Sequence, residues 1–317
     1  MQVLHKHRTR TPYLAPRNPQ LKQMKAILCK SYGPPSNLVY DEVPSPKVGP
    51  NDVLIRVKAC GVNFPDVLII QGLYQFKPPL PFSPGSDVAG IVKAVGENVK
   101  NHKVGDEVFT MIPHGGFAEE AVAPANLTFP KMPGMDFPVA ASFLMAYGTS
   151  YYALKDRAKL KEGETLLVLG ASGGVGLTAV ELGKLMGAKV IAAASTDEKL
   201  DLCKKYGADE VINYSTEDLT ARLKELTGKK GVDVIYDPVG GDYSEPALRR
   251  TAWEGRYLVI GFAAGQIPKI PLNLALLKGC QIVGVFWGSF AMRDPKGNMA
   301  NTMQLMKWFG EGKLKPH

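Results

Sequence analysis

The stretch Leu166-Leu167-Val168-Leu169-Gly170-Ala171-Ser172-Gly173-Gly174-Val175-Gly176 decides the fold. Its apolar run has the length of a strand buried on both faces, and only a glycine-rich bend separates it from a helical period over 175–186. At such a bend Gly173 lets the backbone close on a pyrophosphate, and Gly176 lets the helix pack tightly on the strand. Free N–H groups at the helix start complete an anion site. Ala171 replaces the first glycine of the G-x-G-x-x-G pattern, so the loop alone is also compatible with a plain tight turn.

The flanking sequence resolves that choice. Strand-like runs at 165–169, 189–194, 210–212, 232–236, 256–260 and 281–286 alternate with helical periods at 175–186, 197–206, 216–227 and 243–251. Six strands interleaved with helices predict an α/β, doubly wound parallel six-stranded sheet of the Rossmann type over 146–287. Upstream, over 24–145, short alternating runs such as 52–59 (Val53, Ile55 and Val57 on one face) and 88–95 are punctuated by Gly and Pro, which predicts a β-rich, largely antiparallel domain. Residues 288–317 read as a segment returning to that domain, with a helix over 298–310 whose Met299, Met303 and Met306 face its core.

Cofactor preference is set at the end of the second parallel strand, where an NAD enzyme places an acid for the ribose 2′-hydroxyl. Ala194 and Ser195 stand there instead, and Lys199, one turn into the next helix, can pair with a 2′-phosphate. Asp197 competes as the acid, but the run Ser195-Thr196-Asp197-Glu198 reads as a capping box that complements the helix dipole. The pattern therefore favours NADPH over NADH.

The net charge of +8 is concentrated at the start of the chain, where Lys6, Arg8, Arg10, Arg17 and Lys22 precede the first acid, Asp41; without those five the remainder is +3. This argues against a nucleic-acid partner, and the apolar runs are far shorter than the roughly 20 residues a membrane span needs. Residues 1–23 read as a disordered tail or a processing segment. Their Arg-rich, acid-free composition has the character of a mitochondrial transit peptide, although serine and an amphipathic stripe are missing. The cytoplasm is the default compartment and the mitochondrion the alternative. Cys29, Cys60, Cys203 and Cys280 form no CxxC pair, which fits a reducing compartment and gives neither a disulfide framework nor a zinc cluster.

These residues, together with Gly61-Val62-Asn63-Phe64-Pro65-Asp66, Gly72-Leu73-Tyr74, Pro84-Gly85-Ser86-Asp87-Val88-Ala89-Gly90 and Val104-Gly105-Asp106-Glu107-Val108, resemble the zinc-free medium-chain dehydrogenases/reductases of the quinone oxidoreductase branch. The resemblance implies a GroES-like β-rich catalytic domain ahead of the Rossmann domain. It places Asn63 and Ser86 where zinc-dependent members carry a Cys and a His ligand, so no metal is expected. Cys60 falls three residues early for that role and reads as a packing residue.

The same resemblance implies that Asn63 and Tyr74 face the nicotinamide and that Thr149 contacts it or its ribose. It assigns the pyrophosphate to Ala171, Ser172, Gly173, Gly174, Val175 and Gly176, the 2′-phosphate and adenosine to Ser195, Lys199 and Tyr214, and the opposite wall to Gly240, Phe262 and Ala263. Two departures stand out. Leu68 replaces a second tyrosine near the nicotinamide, which makes the pocket greasier, and the family's closing helix and strand do not follow His317, which would open a sheet edge in the first domain.

The implied activity is NADPH-dependent, zinc-independent hydride transfer to a quinone or a related electrophilic carbonyl, with an enone or enoyl-thioester reductase as the alternative. A non-catalytic, crystallin-like NADPH-binding protein with RNA affinity is the reading of another class. Lys229-Lys230 and Arg249-Arg250 are short basic pairs and read as solvated surface. His102 and His114 pair with no nucleophile or carboxylate in sequence. An apolar strand at the end of the parallel sheet predicts a homodimer through that edge.

Overall fold

The computed structural model describes residues 22–317. The expected tail lies outside the described residues except for Lys22 and Gln23, and Gln23 already begins β1 (Gln23–Cys29), paired antiparallel with β2 (Leu38–Pro44). There follow β3 (Asp52–Gly61), α1 (Phe64–Ile70), β4 (Asp87–Val95), β5 (Glu107–Met111), β6 (Glu120–Pro124) and β7 (Thr128–Pro130). β3 to β7 form a five-stranded antiparallel sheet in the order β6-β3-β4-β5-β7. Its alternating residues behave as their period requires: Val53 and Ile55 are fully buried with Val88, Val92 and Val108, whereas Arg56 and Lys58 point away.

Helix α2 (Phe137–Tyr151) starts at Asp136, whose carboxylate accepts the Val139 N–H at 2.8 Å, and widens into a π turn over Tyr152–Arg157. It buries Ala140, Ala141, Phe143 and Leu144. Gly61 permits the approach, because a Cβ there would lie 2.3 Å from the Ala141 carbonyl oxygen. The expected division at 145/146 thus falls inside a packed helix rather than in a linker.

The second half contains β8 (Thr165–Leu169), α3 (Gly174–Leu185), β9 (Lys189–Ala194), α4 (Asp197–Lys205), β10 (Glu210–Asn213), α5 (Leu219–Thr227), β11 (Val232–Asp237), α6 (Ser244–Arg249), β12 (Thr251–Val259), α7 (Asn273–Lys278) and β13 (Gln281–Gly284). The six strands are parallel in the order β10-β9-β8-β11-β12-β13, so the chain reverses its winding between β8 and β11. Ligands of such sheets bind outside the strand C-termini at that reversal.

Several boundaries differ from the sequence pattern. β13 stops at Gly284 rather than 286, since Phe286 turns to precede α8 (Trp287–Arg293). β12 begins five residues early, with a register shift against β11. α1, α7 and α8 have no counterpart in the sequence pattern, because helices of six or seven residues are too short to display a period. The last helix, α9 (Pro295–Gly310), starts three residues early because the Asp294 carboxylate caps it, accepting the Gly297 N–H at 2.9 Å, with Pro295 in the first turn. Of its methionines only Met306 is buried, while Met303 is 53% exposed; Trp308 on Tyr151 and Phe309 on Phe143 carry the packing onto α2 instead.

One ion pair ties the end of the π turn to the parallel sheet. The Arg256 guanidinium donates to both Glu164 oxygens, at 3.0 and 2.5 Å, and to the Ala158 carbonyl at 3.0 Å, with both side chains mostly buried. Arg256→Leu leaves Glu164 without its cationic partner and should cost about 2 kcal/mol, seen as a melting temperature lower by about 3 °C in a thermal scan.

Candidate functional site

The glycine bend joins β8 to α3 through backbone geometry that its residues alone permit. Gly170 lies at φ +57, where an L side chain is strained, and a Cβ on Gly176 would lie 2.2 Å from the Gly170 carbonyl oxygen. Ala171 is wholly buried and its N–H is spent on the Ala193 carbonyl at 3.0 Å, so it shapes the bend rather than lining a cleft. Ser172, Gly173, Gly174 and Val175 are open to solvent to different degrees, and a Cβ on Gly174 would meet nothing within 4 Å. The first turn of α3 has N–H groups with no acceptor within the helix. The result is a cradle that a side chain would fill and a phosphate can enter.

Thr149 sits on α2 next to this bend. Its neighbour Ser150 donates to the Val175 carbonyl at 2.9 Å and shares hydrogen bonds with Thr178 Oγ1 at 2.8 Å and Tyr236 OH at 2.9 Å, which locks α2 onto α3.

At the end of β9, Ser195, Lys199 and Tyr214 converge. Lys199 Nζ lies 2.9 Å from Ser195 Oγ. The Tyr214 hydroxyl is pushed up by burial and by Tyr243, and opposed by a hydrogen bond with Ser195. The expected capping box shifts by one residue: Thr196 caps α4 by accepting the Lys199 N–H, which releases the Ser195 hydroxyl. Asp197 accepts from Asn213 Nδ2 at 2.8 Å and is thereby engaged away from Lys199.

Beyond β11 and β12, Gly240 and Phe262 abut, since a Cβ on Gly240 (φ +71) would lie 2.9 Å from the Phe262 ring. The Ala263 N–H donates to the Pro238 carbonyl at 3.0 Å. Asp237 organises this wall: its buried carboxylate accepts from the Val239 and Gly240 N–H groups at 2.8 and 2.9 Å, from Ser244 Oγ at 2.8 Å and from the Tyr257 hydroxyl.

On the first domain, Asn63 opens α1, its N–H donating to Asp66 Oδ2 at 2.8 Å. Its amide nitrogen is buried without a hydrogen-bond partner among the described residues, as are Ser86 Oγ and Asp87 Oδ1. Burial pushes the Asp87 carboxyl up to about 8, with Asp66 adding to it and the Met145 N–H and the Asn63 amide opposing. Burial also pushes the Cys60 thiol up to about 12. Tyr74, half-buried against Ile69, Ile70 and Phe82, keeps its hydroxyl protonated for the same reason.

His102 holds the Ala125 and Thr128 carbonyls at 3.1 Å, a structural role. His114 packs on Phe76 and Phe82, and burial holds its imidazole below the usual range. Among the described residues no three His, Cys, Asp or Glu side chains converge as a metal cage requires. The motif reading passed over Asp87 and Asp237, whose local sequence carries no sign that they are buried.

Residues 49–134 match the alcohol dehydrogenase GroES-like domain, and residues 174–308 match the zinc-binding dehydrogenase family. The quinone oxidoreductase-like protein 2 homolog of Nematostella vectensis is 39% identical over 93% of this chain and 80% of its own length. The chain belongs to the quinone oxidoreductase family of medium-chain dehydrogenases/reductases. Quinone oxidoreductase of Homo sapiens is likewise 39% identical, over 83% of this chain and 80% of its own length. Among solved structures, the Escherichia coli quinone oxidoreductase complexed with NADPH superposes with a TM-score of 0.85 at 32% identity, covering 92% of this chain and 89% of that one. CurK enoyl reductase superposes at 0.84 with 26% identity, covering 93% and 91%. The fold of this quinone oxidoreductase family member is therefore the expected one, a GroES-like domain followed by a Rossmann sheet.

The raised Asp87 carboxyl has a consequence for stability. Between the ordinary value of 3.8 and about 8 the folded chain keeps a proton that the unfolded chain releases, so stability falls as pH rises through that window. Asp87→Asn, neutral throughout, should give a flatter plot of melting temperature against pH than the wild type over the neutral part of the window; parallel plots would show Asp87 ionised in the fold.

Proposed function

We propose that the chain is an NADPH-dependent, zinc-independent reductase that delivers hydride to a quinone or a related electrophilic carbonyl acceptor. One observation carries the cofactor choice: Ser195, Lys199 and Tyr214 meet where an NAD enzyme would place an acid, and Asp197 is held elsewhere. NADPH, when bound, supplies the hydride. Ser172 to Gly176 hold its pyrophosphate through the open first turn of α3, Lys199 and Ser195 take the 2′-phosphate, and Tyr214 packs on the adenosine. Thr149 would contact the nicotinamide or its ribose, with Gly240, Phe262 and Ala263 lining the other side.

Asn63 and Tyr74 donate to the acceptor oxygen as negative charge develops there. Neither titrates near neutrality, so both act as hydrogen-bond donors while solvent delivers the proton. Zinc independence rests on chemistry of the residues: Asn63 and Ser86 offer oxygen and amide groups where a thiolate and an imidazole would be needed, and the Cys60 sulfur is packed against Gly85 and Gly116.

A second reading, reduction of an enone or enoyl thioester, is favoured by the half-buried Leu68 and by the likeness to CurK enoyl reductase. The nucleic-acid-binding reading loses support, because Lys230 pairs with Asp233, Arg249 with Glu245, and Arg250 donates to the Gly228 carbonyl. No helix of the described residues is long and apolar enough to cross a membrane. Four free cysteines suit a reducing compartment, the cytoplasm first.

We further propose a homodimer through β13. That strand ends the sheet, and Leu272, Leu276 and Leu277 beside it are 77%, 80% and 69% exposed.

NADPH oxidation with 9,10-phenanthrenequinone, a simple enone and an enoyl thioester should rank the quinone first; no turnover with any of the three removes the reductase reading. Lys199→Ala should weaken NADPH by about tenfold or more and leave NADH unchanged in fluorescence titration, since only NADPH carries the phosphate that the ammonium binds. Light scattering should give twice the chain mass, and Ile282→Lys on the β13 edge should shift it to the monomer.

A further inference from the structure

We infer that Asp87 positions the Asn63 amide for the acceptor, acting from beneath it through a carboxyl group sealed from water. The inference rests on the hydride-transfer reading above. In the β3–β4 ladder Gly61 stands opposite Asp87, so Asn63, two residues further on, begins α1 beside that carboxyl. Asp87 is 0% exposed. Its Oδ2 accepts the Met145 N–H at 3.2 Å, while Oδ1 is buried with no hydrogen-bond partner among the described residues.

The facing Asn63 amide nitrogen is in the same condition, and Ser86 Oγ makes a third orphan. Buried polar atoms are nearly always satisfied, so Asp87 Oδ1 and the amide nitrogen that faces it are each other's available partner. The Asn63 backbone is pinned independently by Asp66, whose other oxygen accepts the Gly85 N–H at 3.2 Å. Only the Asn63 side chain therefore needs a second partner to set its direction.

The carboxyl fixes the plane of that amide. The Asn63 nitrogen carries two hydrogens, so giving one to Asp87 sets the direction in which the second is offered to an acceptor. The groups that face Asp87 are Asp66 on α1, Cys60 on β3 and the Met145 N–H on α2, and none of them is a cation. Burial raises the carboxyls of both Asp66 and Asp87, and no cation among these groups competes with Asn63 for the Asp87 oxygen. Asp87 reaches the acceptor only through Asn63 and is a positioning residue.

A double-mutant cycle tests this, with kcat for 9,10-phenanthrenequinone at saturating NADPH and NADPH affinity by fluorescence. Asp87→Leu, similar in shape and apolar, should lower kcat about tenfold or more and leave NADPH affinity within about twofold. Asp87→Asn should retain most of the activity, because its amide oxygen still accepts from Asn63 Nδ2. In an Asn63→Ala background, Asp87→Leu should cost nothing further. A loss undiminished in that background, or Asp87→Asn as impaired as Asp87→Leu, overturns the inference; Asp87→Ala serves as the truncation if the Leu chain does not fold. A wild type that reduces no acceptor fails the reductase reading instead. The inference is then read by calorimetry of the quinone on the NADP+ complex, where Asp87→Leu should weaken and Asp87→Asn preserve affinity, and equal affinity of all three overturns it.

Discussion

The packing of α2 against both sheets is the constraint on which the rest of the site depends. Its first turns lie on β3 and β4, where Gly61 admits the Ala141 carbonyl and Asp87 accepts the Met145 N–H. Its last turns lie on α3, where Ser150 binds the Val175 carbonyl and the Tyr236 hydroxyl. One rigid helix therefore sets the distance between the donors of the first domain and the glycine bend of the second. A flexible linker in its place would leave the reacting groups to find each other at a large entropic cost.

Buried carboxylates do the local positioning. Asp66 holds the start of α1 to the Gly85 turn, and Asp237 gathers four donors to fix the 238–240 turn against Phe262. Both are saturated by N–H or O–H groups, which is what makes a carboxyl tolerable away from water. Asp87 differs, with one oxygen left open beside an amide that is also open. The contrast separates two residues that build the scaffold from one that faces the Asn63 amide.

The two halves of the site follow different physics. Around Ser195 the candidate site is polar and partly exposed, with Lys199 Nζ 2.9 Å from Ser195 Oγ and the Tyr214 ring tilted against Tyr243 at 4.3 Å between centroids. Around Asn63 and Gly240, apolar side chains such as Leu68 and Phe262 are half-buried. The fold is one that solved quinone and enoyl reductases share.

By itself, the amino-acid sequence determined what depends on local order along the chain. The apolar run 166–169 followed by the glycine bend, the alternation of Val53 and Ile55, and the lack of an acid at 194–195 all report on neighbours within a turn or two, so strand, helix and cofactor preference were legible. Tertiary structure alone decided what depends on burial between distant segments. Asp87 and Met145 are 58 residues apart, and Asp237 and Tyr257 are 20 apart, so no local pattern marks these aspartates as buried or reveals their partners. The same holds for the shift of the α4 cap to Thr196, which freed Ser195, and for short helices such as α1 and α7, which exist because the sheets beneath them offer a surface and not because their own sequence insists on a helix.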